Sequence, residues 1–216
     1  MLTWPYVSVL LFVLASISIG RLFYLPKLDS EPLWHATLCL NFLAGSGVLG
    51  TLVYLLAHVG AARKGVFIAI AACSALVWIV RPIRRHAGTY IPASAIIPVV
   101  ASSLFAGLYL VYATGPEYSP DAMDYHLVFV DLYKRSHGLV PVRDTYQAGF
   151  PPLMEMAFLY VYAISSDYRS CALVHLCFLF ALSGVFLLVG KMLGSRQIGP
   201  SPIAFSPSLR LSVSTR

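Results

Sequence analysis

The sequence predicts an all-α integral membrane protein with about six transmembrane helices and one outer-face loop that carries an amphipathic interfacial helix. Three observations predict it. Hydrophobic residues make up 58% of the 216-residue chain and charged residues only 11%, where a soluble domain carries about 25% charged residues. The apolar residues gather in runs near the ~20 residues that cross a ~30 Å hydrocarbon core. Six of the nine acidic residues fall in a single window, from Glu117 to Glu155. The formal net charge of +6 does not point to nucleic acid, because Lys and Arg sit at the ends of apolar runs, where they anchor to headgroups and set topology.

The first segment runs from Trp4 to Leu22. No Lys or Arg precedes Arg21, so the basic start of a cleavable signal peptide is missing and the segment reads as a retained helix. The second, Trp34 to Val59, contains Gly45-Ser46-Gly47-Val48-Leu49-Gly50. Those letters fit the dinucleotide pattern GxGxxG, but no strand precedes them. Small residues that let two membrane helices approach explain them better. The third segment is Gly65 to Val80, which is short, and the fourth is Ile91 to Ala113. The fifth, Pro152 to Ser165, has fourteen residues and includes Glu155. It is expected to start in the outer headgroup layer, with Glu155 near the water boundary, because a carboxylate at mid-membrane is costly. The sixth is Ser170 to Gly190. The chain thus divides into N-terminal membrane helices (1–113), an extracytoplasmic loop (114–151), a helix pair (152–193) and a Ser/Pro/Arg-rich tail (194–216) expected to be disordered.

Positive charge favours the cytoplasmic side. Arg21 and Lys27, then Arg81, Arg84 and Arg85, put the N-terminus and the 114–151 loop outside; Arg63, Lys64, Lys134, Arg135 and Arg143 argue against that orientation. The four cysteines, Cys39, Cys73, Cys171 and Cys177, all lie in apolar runs and read as buried free thiols. Cys171, His175 and Cys177 have neither a fourth ligand nor CxxC spacing, so helix packing is preferred to a metal site.

In the loop, Ser119-Pro120-Asp121 has the form of a helix start: a capping hydroxyl, a proline for the first turn, and a carboxylate at the positive end of the dipole. Gly138 is the expected stop, with His137 in a capping role. Ala122, Tyr125, Phe129 and Leu132 recur at helical spacing, a stripe that would let the helix lie flat on the membrane. At ~100° per residue Asp121, Asp124 and Asp131 share a sector of about 80°, and His126 points elsewhere. These aspartates are either the solvated face of an interfacial helix, or one of them is a base or metal ligand; periodicity does not choose. Lys134, Arg135 and Arg143 are the loop's cations, suited to headgroup contact or to a lipid-linked phosphate. Gly149 and the prolines at 151 and 152 force a turn. That sets Glu155 one turn into the next helix, to favour its N-terminus or to orient substrate or the loop helix.

The run Asp121-Ala122-Met123-Asp124-Tyr125-His126-Leu127 resembles the D-A-[LM]-x-Y-H-L motif of bacterial multi-pass glycosyltransferases of the GT-C class, related to the protein mannosyltransferase and aminoarabinose transferase group. Tyr146, Phe150, Pro151, Met154 and Glu155 resemble a second stretch of that family, and Val174-His175 a later Leu-His pair. The resemblance covers roughly residues 95–195. It implies a multi-pass protein of the bacterial inner membrane that takes a sugar from a polyprenyl-phosphate carrier. A hydroxyl of a glycan or lipid acceptor attacks the anomeric carbon and polyprenyl phosphate leaves. It implies Asp121 as the catalytic carboxylate, and Asp124, Tyr125, His126, Lys134, Arg135, Arg143 and Glu155 as substrate-binding residues. Some members use a divalent metal, for which Asp121, Asp124 and His126 are the candidate ligands here; no other cofactor is implied. Two departures stand out. Some relatives have Lys where Phe150 stands, and the family usually continues through further membrane helices. The expectation is an N-terminal part of such an enzyme, with a truncated, non-catalytic membrane protein or accessory subunit as the alternative. A cation transporter is the weaker third choice, because few ionisable residues lie deep in the apolar runs and no inverted repeat is evident.

Overall fold

The computed structural model describes residues 4–23, 34–80, 96–116, 120, 122–142 and 152–192. Helix α1 (Trp4–Gly20) runs into a 3-10 turn, Arg21–Phe23. Then follow α2 (Trp34–His58), α3 (Lys64–Val80), α4 (Ile96–Thr114), a π-helical turn (Ala122–His126), α5 (Leu127–Ser136), α6 (Leu153–Ser165) and α7 (Arg169–Met192). No strand occurs among the described residues. The helices coincide with the apolar runs because a chain without water around it must satisfy its N–H and C=O groups within each segment.

Three stretches are long and apolar enough to cross a membrane: Trp4–Phe23, Thr37–His58 and Arg169–Phe186. Lys64–Val80, Ser103–Thr114 and Leu153–Ser165 are shorter apolar helices. Among the described residues, three of the six expected spans thus have the length and composition of a membrane crossing. The part of the fourth segment before Ile96 lies outside the described residues, as does the tail.

Helices α1 and α2 pack as an antiparallel pair through small residues. A Cβ on Gly45 would run into the carbonyl oxygen of Ser16, and one on Gly20 into that of Asn41, which fits the close-approach reading of the glycine-rich segment. Gly50 faces Leu153 of α6, while Gly47 faces open space. Helix α3 is tied to α1 at both ends. The Trp78 indole N–H donates to Ser18 Oγ at 2.5 Å, and the Lys64 ammonium lies 4.6 Å from the centre of the Trp4 ring.

Helix α6 is the centre of the bundle. Every residue from Glu155 to Ile164 is buried, and α6 packs against α1, α2, α3, α5 and α7. Its 13 residues rise about 20 Å, too little to cross a ~30 Å core. The fifth apolar run is thus a half-length helix enclosed by protein, which explains why it is apolar on all sides. Leu153 at its start meets Gly50, eight residues and about 12 Å before the end of α2. Tyr160 sits between Phe12 and Phe67, its ring 5.6 Å and 5.1 Å from theirs, and donates to the Phe67 carbonyl oxygen at 3.0 Å. Glu155 is accordingly buried within the bundle.

Helix α5 turns Phe129 of its expected apolar stripe inward, while Ala122, Tyr125 and Leu132 stay half-buried. It runs beside α6 in the same direction and buries Leu127, Phe129, Val130 and Tyr133. Its end is a Schellman turn in which Gly138 N–H donates to Tyr133 O and His137 N–H to Lys134 O. The left-handed residue is His137, at φ 57°, in place of the expected Gly138. Gly138 is needed for another reason. Leu139 N–H donates to Ala57 O and Ala62 N–H to His137 O, and this two-bond dock brings Gly138 so close to the α2–α3 turn that a Cβ would lie 2.7 Å from Ala57 O. Gly138→Ala is therefore expected to destabilise the protein by about 1–3 kcal/mol through overpacking against backbone. Thermal unfolding in detergent, with Gly47→Ala as the unhindered control, checks this.

Candidate functional site

The π turn Ala122–His126 is where the polar window enters the bundle. A π turn closes i→i+5 hydrogen bonds and so turns through less than 100° per residue. Across it the α-helical angle between Asp124 and Asp131 changes by only a few tens of degrees, and the two differ in their surroundings. Asp124 is exposed, whereas Asp131 is half-buried and engaged. His126 swings toward α6, where its Nδ1 lies 2.7 Å from Glu155 Oε1. The two side chains are 27% and 11% exposed, so this is a largely desolvated contact. An ionised carboxylate only accepts hydrogen bonds. With Glu155 ionised, Nδ1–H is the donor of this contact. The Tyr125 ring leans on His126 with centres 4.0 Å apart, and Phe129 follows 6.2 Å from Tyr125.

Further along the same helix pair lies a second polar group. Asp131 accepts from the Tyr162 hydroxyl at 3.0 Å and pairs with Arg135 at 2.6 Å, one helical turn away. Lys134 lies over the Tyr162 ring at 4.4 Å and donates to Ser166 Oγ at 2.9 Å. Tyr162 in turn stacks on Tyr168 at 4.8 Å. Both described cations of the loop are thus engaged within the chain. Tyr133 faces the interior, and burial, then the Glu155 charge, then Tyr54, push its hydroxyl up from the ordinary phenol range. It is a neutral donor at physiological pH and no base.

The structure brings together His126, Glu155 and Tyr125 out of the residues singled out by sequence. It sets Lys134 and Arg135 about 12 Å away along α5. Asp121 and Arg143 lie outside the described residues. No group of three His, Cys, Asp or Glu side chains able to hold a metal occurs among the described residues. Cys171 is a buried free thiol, and His175 meets the Phe158 ring edge-on at 4.9 Å, both packing contacts. Sequence reasoning passed over Tyr162. It stands seven residues after Glu155, two helical turns on the same face of α6, and that spacing was the available signal.

Comparison with protein-family models, curated proteins and solved structures yields no match to this chain. Fold and site together define an all-helical protein with three candidate membrane-spanning helices and an imidazole–carboxylate contact between the π turn and α6.

The two polar groups differ in expected energetics. Arg135 is 77% exposed, so Arg135→Ala is expected to change stability by no more than about 0.5 kcal/mol. Tyr162→Phe keeps the ring under Lys134 but leaves Asp131 one donor short, an expected loss of about 1 kcal/mol. Parallel thermal melts of the two variants check the contrast.

Proposed function

We propose that this chain is a lipid-linked-sugar glycosyltransferase, or the N-terminal part of one, working at the outer face of the bacterial inner membrane. A sugar enters on a polyprenyl-phosphate carrier and leaves on a hydroxyl of a glycan or lipid acceptor. Asp121 takes the proton of the acceptor hydroxyl as its oxygen bonds to the anomeric carbon. The bond from that carbon to the phosphate oxygen breaks, and the electron pair leaves with polyprenyl phosphate.

One observation carries the reading. The two segments that give the resemblance, Asp121–Leu127 and Tyr146–Glu155, are separated in sequence yet meet through the 2.7 Å contact of His126 with Glu155. Two general expectations add to it. Single π turns recur at functional sites, and an ionisable residue inside an apolar bundle is by default a functional candidate. Tyr125, His126, Asp124 and Glu155 are then the substrate-facing or supporting groups, with Asp124 and His126 available to a divalent metal. Arg143 is the cation left to offset phosphate charge, because Lys134 and Arg135 are held by Tyr162, Ser166 and Asp131. That same engagement favours the second reading, a non-catalytic membrane protein or accessory subunit in which the loop's charges serve only to fold it.

Turnover of radiolabelled polyprenyl-phosphate sugars in membranes holding the full chain separates the two. Transfer or hydrolysis that falls about 10²–10⁴-fold in Asp121→Asn is expected for the enzyme. Absence of turnover in both proteins across a panel of sugars, with insertion verified, selects the non-catalytic reading.

A further inference from the structure

We infer that Glu155 and His126 form a latch that keeps the π turn wound and seated on α6, which makes them positioning residues for the side chains of that turn, Asp124 among them. The inference deepens the glycosyltransferase reading and rests on it for its functional consequence; the latch itself is a matter of geometry.

Glu155 lies between Met154 and Met156 in a helix whose next nine residues are all buried. A carboxylate there needs a hydrogen-bonding or charged partner, since a lone buried charge is strongly disfavoured. His126 meets that need at 2.7 Å, and it is the last residue of the π turn. The two other described polar ties between these helices, Tyr162 to Asp131 and Lys134 to Ser166, hold the opposite half of α5. A π turn is uncommon enough that its surroundings must over-determine it. The burial of Leu127 immediately beyond it and the Glu155 contact at its end supply that constraint. Asp124 lies inside the turn and is exposed, so unwinding the turn moves a carboxylate that the glycosyltransferase reading places toward the substrate.

The test uses the full chain in lipid nanodiscs with Cys39, Cys73, Cys171 and Cys177 replaced by Ala. Leu127→Cys reports on the turn and Ala157→Cys, buried in α6, reports on the bundle; both are read by the labelling rate of a water-soluble maleimide. Glu155→Ala and His126→Ala are each expected to raise labelling at Leu127→Cys at least tenfold, with no further rise when combined, and to leave Ala157→Cys protected. Glu155→Gln, whose amide oxygen still accepts from Nδ1–H, is expected to stay within about threefold of the parent. Unchanged labelling at Leu127→Cys in both Ala variants overturns the latch. So does labelling of both reporters, which marks a residue needed for the whole fold, and so does a Gln variant as reactive as Ala. In the turnover assay the Ala variants are expected to lose kcat with KM little changed, and Gln to recover most of it. Labelling needs no turnover, so a parent chain that transfers no sugar removes the enzymatic reading alone, and the latch stands or falls on the maleimide rates.

Discussion

Burying the carboxylate of Glu155 sets a condition that the surrounding structure has to meet. Nearly nine-tenths of that side chain is out of solvent, one turn into a helix that is covered on every side. An ion in such a place has to be matched at short range. The partner does not come from α6 or from the long helices, but from a segment 29 residues earlier. Once His126 is drawn to Glu155, the π turn Ala122–His126 is held against α6, and α5 sets off from there. The depth at which the polar window enters the protein is thus set by a charge on another helix.

From that starting point α5 and α6 rise side by side. His126 faces Glu155, Asp131 faces Tyr162, and Lys134 faces Ser166. The order is the same on both helices, which makes the pair parallel. The far end is fixed by backbone rather than side chains. The Schellman turn at His137 brings residues 137–139 onto the α2–α3 turn, where two N–H···O bonds close the dock. A helix of ten residues is too short to be stable alone. It persists here because it is clamped by a charged pair at one end and by main-chain hydrogen bonds at the other, with Phe129, Val130 and Tyr133 buried between.

The apolar helices were legible in the sequence almost to the residue. Trp34 to Val59 is observed as Trp34–His58, Gly65 to Val80 as Lys64–Val80, and Pro152 to Ser165 as Leu153–Ser165. Hydrophobic runs are a local property, and local properties can be read along one chain. The role of each run was less legible. Pro152 to Ser165 has the composition of a membrane span, and only its neighbours reveal a half-length helix enclosed by protein. The loop shows the same limit. Periodicity carries no sign of the π turn between Ala122 and His126, nor that Asp131 is engaged by Tyr162 and Arg135 while Asp124 is exposed. His137 adopts the left-handed conformation for which glycine was expected, because Gly138 is required one position later by the Ala57 carbonyl. The pairing of His126 with Glu155 depends on tertiary contact, for which sequence spacing holds no signal.

The distribution of charge in this region narrows where chemistry can occur. Among the described acidic residues, Glu155 is matched by His126, Asp131 by Arg135 and Asp167 by Arg169. Of these, His126–Glu155 ties the π turn to α6, whereas Asp131–Arg135 lies within one turn of α5 and Asp167–Arg169 at the α6–α7 link. Asp124 differs, for it is exposed at the π turn and joins no ion pair among the described residues. A carboxylate that is not consumed by folding, three residues from Asp121 and two from the half-buried His126, is the kind of group that remains available to a substrate hydroxyl or a cation. The polar window therefore divides by position. Its later part, from Asp131 to Gly138, builds the scaffold, and its first turn, around Asp121 and Asp124, is where a reaction of the proposed kind would draw its base.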